Sequence, residues 1–146
     1  MRSDDFFGAL PDATRARLPK RWQTFRIQKR SWLVQLYYAQ PLLHYEVWNL
    51  GDRRGRLEIG LHFESRDRGE NERLLRGFLA RLFEIKAELG DSIEAEAWDK
   101  GWTRVYELLP REPFTPEYVE RVAARLAQMI CVLQPIFEDV YKPRKR

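Results

Sequence analysis

One stretch of the chain alternates strictly between apolar and polar residues, and it limits the folds that the rest of the chain can adopt. Its apolar positions are Leu57, Ile59, Leu61 and Phe63. The residues that alternate with them are Glu58, Gly60, His62 and Glu64. Successive side chains of a β-strand point to opposite faces, so the pattern predicts a strand with one face in a core. Other segments must therefore supply a sheet around this strand and a layer that covers its apolar face.

Two segments with helical periodicity can supply that layer. Apolar residues recur with a period of 3.6 across residues 70–89, and Gly90 follows where a helix C-cap belongs. A second helix is predicted from Thr115, which precedes Pro116, until Pro135 kinks or ends it. Residues 1–21 are predicted to form short helical pieces or irregular structure.

Further strands are predicted on both sides of the first of these helices. Before the helix, one strand begins after Thr24 and breaks near Pro41, and the next spans residues 42–48. After the helix, residues 92–109 are predicted to form a hairpin around a loop at residues 99–101. The pattern leaves open whether residues 23–28 add a separate strand. The predicted fold class is α+β, with an antiparallel sheet of five or six strands, helices mainly on one face, and the order α-β-β-β-α-β-β-α.

Composition predicts one cytoplasmic domain over residues 1–146. The chain is 44% hydrophobic and has the common size of a single domain. Cys131 is the only cysteine, and its place in the last amphipathic helix predicts a buried packing residue. The longest apolar run is far shorter than the roughly 20 residues of a membrane span, so no membrane partner is predicted.

Positive charge is concentrated near the two ends of the chain. Residues 13–45 carry a net charge of +7 with no acidic residue, and the basic tail at residues 142–146 adds +4. The basic residues of the first segment are Arg15, Arg17, Lys20, Arg21, Arg26, Lys29 and Arg30. Two interpretations stay open: these residues bind nucleic-acid phosphates while Trp22 and Phe25 stack on bases, or they complement the acidic remainder of the domain.

The predicted register brings together the two histidines of the chain. If Tyr45 and Val47 share the core face with Leu61, then His44 lies directly opposite His62, and Glu46 lies on the same face. Two histidines and a carboxylate can bind a divalent metal, and a histidine beside acids can also carry protons. The alternative is a half-exposed sheet face whose histidines and acids are solvated or paired.

Four aromatic residues are predicted on strand faces. They are Trp48, Trp98, Trp102 and Tyr106. Such a set can form a platform for a peptide, a base or a sugar, or it can lie beneath a terminal segment. In the second case, Phe6, Phe7 and Phe114 are the residues that we expect to cover it.

Several of these elements resemble a bacterial domain of unknown function often found at the C-terminal end of putative restriction-endonuclease-like proteins. The likeness spans residues 56–140 and is carried by the strand at residues 56–59, Asn71-Glu72 opening a helix, Leu89-Gly90 and the Trp98 strand. It implies an accessory module of DNA-associated or defence systems and assigns no catalytic residue. The element order also resembles secretion-chaperone-type folds, which dimerise and bind extended peptides, but those proteins are typically acidic whereas this chain carries a net charge of +4.

Three functions follow, in order of preference. The first is a non-enzymatic binding or accessory module that engages nucleic acid, or a partner that processes it, through the basic residues. The second is a protein-binding or dimerisation module that uses the aromatic face. The third is a metal-dependent enzyme that uses His44 and His62. No nucleophile elbow, phosphate loop or dinucleotide fingerprint occurs, so no cofactor and no catalytic residue is predicted.

Overall fold

A computed structural model describes residues 1–142 of the chain. Most of the predicted basic tail at residues 142–146 therefore lies outside the described residues. Two 3₁₀ turns, Lys20–Trp22 and Asp99–Gly101, connect regular elements. The helices are α1 (Ser3–Arg15), α2 (Arg68–Leu79), α3 (Leu82–Leu89) and α4 (Pro116–Val140). The strands are β1 (Arg26–Arg30), β2 (Leu33–Gln40), β3 (Leu43–Asn49), β4 (Arg56–Phe63), β5 (Glu94–Ala97) and β6 (Thr103–Pro110).

The strands form one antiparallel sheet of six, in the order β1-β2-β3-β4-β6-β5. This confirms the predicted α+β class and sheet. The sequence left open whether residues 23–28 add a separate strand. Such a strand is present at residues 26–30, and this strand, β1, is one edge of the sheet. The core lies between one sheet face and the helices, where Phe63 packs against Phe78 of α2 and Phe137 of α4.

The helix predicted over residues 70–89 is divided in two. Asp67 caps α2 by accepting hydrogen bonds from the backbone N–H groups of residues 69 and 70, so this helix begins at Arg68. After Leu79 the chain tightens, and the N–H of Arg81 bonds to the carbonyl of Phe78, three residues back. Ile85 and Leu89 of α3 are buried in the core on the far side of the break, as the apolar period predicts. Phe83, another apolar residue of the same segment, is 92% exposed.

Two expectations for the last helix are corrected. Pro135 does not end the helix, because α4 continues through it to Val140. Cys131 is exposed and not a buried packing residue. The buried stripe of α4 instead runs through Leu126, Ile130 and Leu133. Among residues 1–142, no helix combines the length and the apolar character that crossing a bilayer requires.

Gly60 lies at the centre of the sheet face that points away from the core. It pairs with Glu46 on β3 and with Tyr106 on β6. A Cβ atom at this position would lie 2.5 Å from Tyr106 Cβ and 2.6 Å from the carbonyl oxygen of Val105. Both atoms belong to the neighbouring strand close to its backbone, so they cannot move aside without disturbing the pairing of β4 with β6.

We therefore expect Gly60→Ala to lower the free energy of unfolding by about 1–3 kcal/mol through overpacking. Gly8→Ala is the matched control, because Gly8 lies in α1 and a Cβ atom added there would meet nothing within 4 Å. This second change should leave stability unchanged or raise it by up to about 1 kcal/mol. Urea unfolding of both variants measures the difference, and equal stabilities would contradict the packing argument.

Candidate metal centre

The β3–β4 hairpin brings the two histidines together. His44 pairs directly with His62, and Leu43, Tyr45 and Val47 of β3 are buried on the core face with the apolar residues of β4. The predicted register is therefore confirmed. Because side chains alternate, His44 and His62 lie on the opposite face, with ring centroids 5.8 Å apart.

This opposite face is buried where it carries the histidines. His44 is 2% exposed, Glu46 4%, and both Glu58 and His62 0%. The expectation of a half-exposed face with solvated histidines is therefore wrong, whereas the pairing of histidine with acid that the same interpretation allowed is present at His62. The titratable groups lie in an environment where each charge needs a partner.

Tryptophan side chains provide the cover. The ring of Trp98 stands edge-on to His62 at 5.7 Å, with Trp48 at 6.1 Å and Trp102 at 5.6 Å from Trp98. The guanidinium of Arg104 stacks between Trp98 and Tyr106. The four predicted aromatic residues therefore gather around the histidines and not at a separate site.

The phenylalanines predicted to cover these aromatics lie elsewhere. Phe6 stacks on Phe114 at 4.3 Å and on Tyr118 of α4 at 5.4 Å, and Phe7 packs edge-on against Phe6. They fill the core between α1 and α4, because α1 packs along α4 on the helical side of the sheet. The expectation that they cover the tryptophans is therefore wrong.

One ring nitrogen of His44 makes a hydrogen bond, and the other has no hydrogen-bond partner. Its Nδ1 lies 2.8 Å from the carbonyl oxygen of Pro41, which can only accept, so Nδ1 carries the proton and donates it. Its Nε2 is buried and makes no hydrogen bond. Nε2 nevertheless lies 3.2 Å from Glu46 Oε1 and 3.7 Å from Glu64 Oε1, an approach without hydrogen-bond alignment. A ring nitrogen and two carboxylate oxygens thus converge on one point.

His62 is held between two carboxylates. Its Nδ1 lies 3.0 Å from Glu64 Oε2, and its Nε2 lies 3.0 Å from Glu58 Oε2. Burial alone would lower the pKa of His62, but the hydrogen bonds to Glu58 and Glu64 and the charge of Glu46 raise it to about 10. Without a metal, His62 is therefore an imidazolium at neutral pH.

Glu46 and Glu58 are themselves oriented by neighbours. Gln35 Nε2 donates to Glu46 Oε1 at 2.8 Å, and Arg104 Nη1 donates to Glu58 Oε1 at 2.6 Å. Burial would raise the pKa of Glu46, but its contacts with His44 and His62 and the Gln35 hydrogen bond lower it overall. Both side chains are therefore held in orientations that point at the histidines.

Four of these residues present a compact set of donor atoms. Each residue offers one ligand atom, and these four atoms all lie within 4.8 Å of one another. The residues are His44, Glu46, His62 and Glu64. Ligands at about 2.0–2.1 Å from a tetrahedral zinc ion are about 3.3 Å apart. The distances of 3.2 Å and 3.7 Å from His44 Nε2 to Glu46 Oε1 and Glu64 Oε1 are close to that spacing, whereas the widest distances of the set, up to 4.8 Å, would have to shorten around an ion.

The sequence prediction named three of these four residues. It placed Glu64 on the same face as His62 but did not select it; in the structure Glu64 directly follows the last residue of β4. Gln35 and Arg104, which orient the carboxylates, were also not predicted to be site residues. Their only signal is their position in the register, opposite Glu46 and His62.

The seven basic residues do not form one uniform surface. Acidic residues of the same chain pair with Arg15 (Asp12), Arg17 (Glu120) and Lys29 (Asp4). Arg21 stacks on the ring of Trp22. Within residues 1–142, no acidic group lies within salt-bridge distance of the exposed side chains of Lys20, Arg21, Arg26 and Arg30, so these four are the cations left for another partner.

Comparison with protein-family models, with curated proteins and with solved structures finds no match to this chain. The resemblance to the domain associated with restriction-endonuclease-like proteins therefore stays a prediction, as does a cytoplasmic location. Any function must be argued from the geometry of the chain itself.

The raised pKa of His62 predicts how the metal-free protein responds to pH. Because the folded-state pKa of about 10 exceeds the ordinary value of 6.5, this group stabilises the fold fully below about pH 6.5. We expect that stabilisation to be lost as the pH rises from about 6.5 to about 10. Urea unfolding across this range, with a chelator present, measures it.

His62→Gln serves as the reference, because glutamine keeps a hydrogen-bond donor but does not titrate. The stability difference between the unmodified protein and this variant should shrink as the pH rises. A difference that is constant or grows between pH 6.5 and pH 10 would contradict the assignment of the proton to His62.

Proposed function

We propose that this protein binds a divalent transition-metal ion of the Zn²⁺ type between β3 and β4, with His44, Glu46, His62 and Glu64 as ligands. The observation that carries the proposal is the buried Nε2 of His44, which has no hydrogen-bond partner and faces the carboxylates of Glu46 and Glu64. Leaving a buried polar atom unsatisfied costs about 1–3 kcal/mol. A bound cation would remove that cost and the repulsion between the carboxylates.

The charges of the cluster support a divalent ion in particular. Glu46, Glu58 and Glu64 contribute three negative charges, and Arg104, which contacts both Glu58 and Glu96, contributes one positive charge. With neutral histidines, an ion of charge +2 would offset most of the remaining negative charge. Metal binding would thus replace a proton on His62, since imidazole coordinates in its neutral form. His62 would then give up its bond to one of its two carboxylates.

The donor types favour a transition metal over the alkaline-earth ions. Mg²⁺ and Ca²⁺ take oxygen ligands, whereas imidazole nitrogen combined with carboxylate oxygen suits Zn²⁺ and its neighbours. Glu64, with 15% of its side chain exposed, is the most accessible of the four proposed ligands. An ion enclosed by four protein ligands resembles structural zinc sites, while catalytic zinc sites keep a coordination position open. We therefore propose a binding role in preference to the metal-dependent enzyme.

Equilibrium dialysis and titration calorimetry with Zn²⁺ test this proposal. The unmodified chain should bind one ion, and Glu64→Gln should weaken binding on the order of 100-fold, because it removes one carboxylate ligand with little change in shape. Glu94→Gln is the matched control, since Glu94 is an exposed residue of the same sheet face outside the cluster. It should leave the affinity unchanged.

Two further measurements make the result decisive. Thermal unfolding should shift upward with Zn²⁺ in the unmodified protein and in Glu94→Gln, because ligand binding to the folded state stabilises it. Mg²⁺ and Ca²⁺ should produce no comparable shift. Absence of Zn²⁺ binding by the folded, unmodified protein, or equal weakening by Glu64→Gln and Glu94→Gln, would end the proposal.

Nucleic-acid binding is the second candidate, and the exposed cations support it. Lys20, Arg26 and Arg30 are exposed without an acidic partner within the described residues, and Arg21 stacks on Trp22 next to Lys20. Trp32, in the turn between β1 and β2, is 51% exposed and offers a ring for stacking on an unpaired base. These features suit single-stranded nucleic acid, since its bases are free to stack.

Fluorescence anisotropy with a labelled single-stranded oligonucleotide across a salt series tests the second candidate. Each phosphate contact on a single strand contributes about 0.7 to the slope of log affinity against log salt, so Arg26→Gln with Arg30→Gln should reduce the slope by about 1.4. Arg17→Gln is the control, because Arg17 already pairs with Glu120. No binding at low salt, or an equal slope in both variants, would refute it.

A further inference from the structure

His62 has a carboxylate at each of its ring nitrogens, although a metal ion needs one of those nitrogens. Its Nδ1 lies 3.0 Å from Glu64 Oε2, and its Nε2 lies 3.0 Å from Glu58 Oε2. A neutral imidazole carries one N–H group and one nitrogen that accepts. In the metal-loaded protein, one of these two hydrogen bonds therefore persists, and the other gives way to the ion.

The two carboxylates differ in how firmly they are held. Glu58 is 0% exposed, and its Oε1 accepts a hydrogen bond from Arg104 Nη1 at 2.6 Å. Glu64 has 15% of its side chain exposed, and within residues 1–142 its carboxylate makes hydrogen bonds or ion pairs with the two histidines alone. Glu64 can therefore turn toward an ion, whereas turning Glu58 would break its ion pair with Arg104.

The positions of the donor atoms favour the same nitrogen. Glu64 belongs to the four residues whose ligand atoms lie within 4.8 Å of one another, and Glu58 does not. Glu64 Oε1 also lies 3.7 Å from His44 Nε2, which has no hydrogen-bond partner. One carboxylate therefore connects Nδ1 of His62 to that nitrogen. Nε2 of His62 approaches Glu46 Oε2 at 3.9 Å, but Glu58 is nearer and occupies it.

We infer that His62 binds the ion through Nδ1, while Glu58, held by Arg104, keeps the hydrogen bond from Nε2–H and acts as a positioning residue. This inference rests on the proposed ion site. A histidine that binds a metal usually donates its other N–H group to a carboxylate or a carbonyl, which fixes the ring. His44 has such a partner already, because its Nδ1 donates to the carbonyl oxygen of Pro41. The two histidines thus present different nitrogens to the ion.

Two-bond proton–nitrogen NMR spectra of the unmodified protein saturated with Zn²⁺ test the inference. Such spectra distinguish a protonated ring nitrogen from a metal-bound one, and the chain has two histidines to assign. His62 should carry its proton on Nε2 and the metal on Nδ1, and His44 should show the opposite pattern. Metal on Nε2 of His62 would overturn the inference and leave the proposed ion site standing, whereas absence of Zn²⁺ binding would overturn both.

Glu58→Gln tests the positioning role, because glutamine keeps the shape of the side chain and removes its charge. Its Zn²⁺ affinity in titration calorimetry should fall about 10–100-fold. Glu96→Gln is the matched control, since Glu96 also pairs with Arg104, at 3.0 Å, but its other hydrogen bond comes from Tyr106 and not from a histidine. This control should leave the affinity and the ring spectra unchanged.

Equal Zn²⁺ affinities of Glu58→Gln and Glu96→Gln would contradict the role of Glu58. The ring spectra need no substitution, so they decide which nitrogen of His62 binds the ion even if Glu58→Gln does not fold.

Discussion

The pairing of β3 with β4 is the constraint on which the other features depend. A shift of one residue would exchange the two faces of the hairpin and place His44, Glu46 and His62 in the hydrocarbon core. The apolar residues of both strands prevent this, because burying them against α2 and α4 is the largest favourable contribution to the fold. The histidine–carboxylate cluster is thus positioned by the packing on the other side of the sheet.

The same register creates an electrostatic problem on the outward face. Three carboxylates and two imidazoles converge there, and Trp98 shields them from water. In a poorly solvated environment the negative charge of these groups has to be compensated by protons, by Arg104 or by a cation. The proton on His62 provides part of it, and the unpartnered Nε2 of His44 marks where compensation is incomplete. A metal ion would provide what the protons do not.

The histidine–carboxylate cluster and the basic residues occupy different parts of the sheet. The cluster lies between the paired strands β3 and β4, where His44 is opposite His62. Arg26 and Arg30 lie on β1, which is one edge of the sheet and is separated from β3 by β2. Binding of an ion in the cluster and binding of a ligand at the β1 edge are therefore separate proposals.

Alternating apolar and polar residues predict the α+β class, the antiparallel sheet and the opposition of His44 to His62, because the two faces of a hairpin can be read from local sequence. Burial of the polar face depends on tertiary contacts, since Trp98, which follows β5 and is distant from His62 in sequence, packs against that histidine. The apolar stripe of residues 70–89 is uninterrupted, so the break after Leu79 is likewise absent from the local pattern. Phe83 lies outside the core. The local pattern does not predict this exposure, because the exposure of a residue depends on which neighbouring elements cover it.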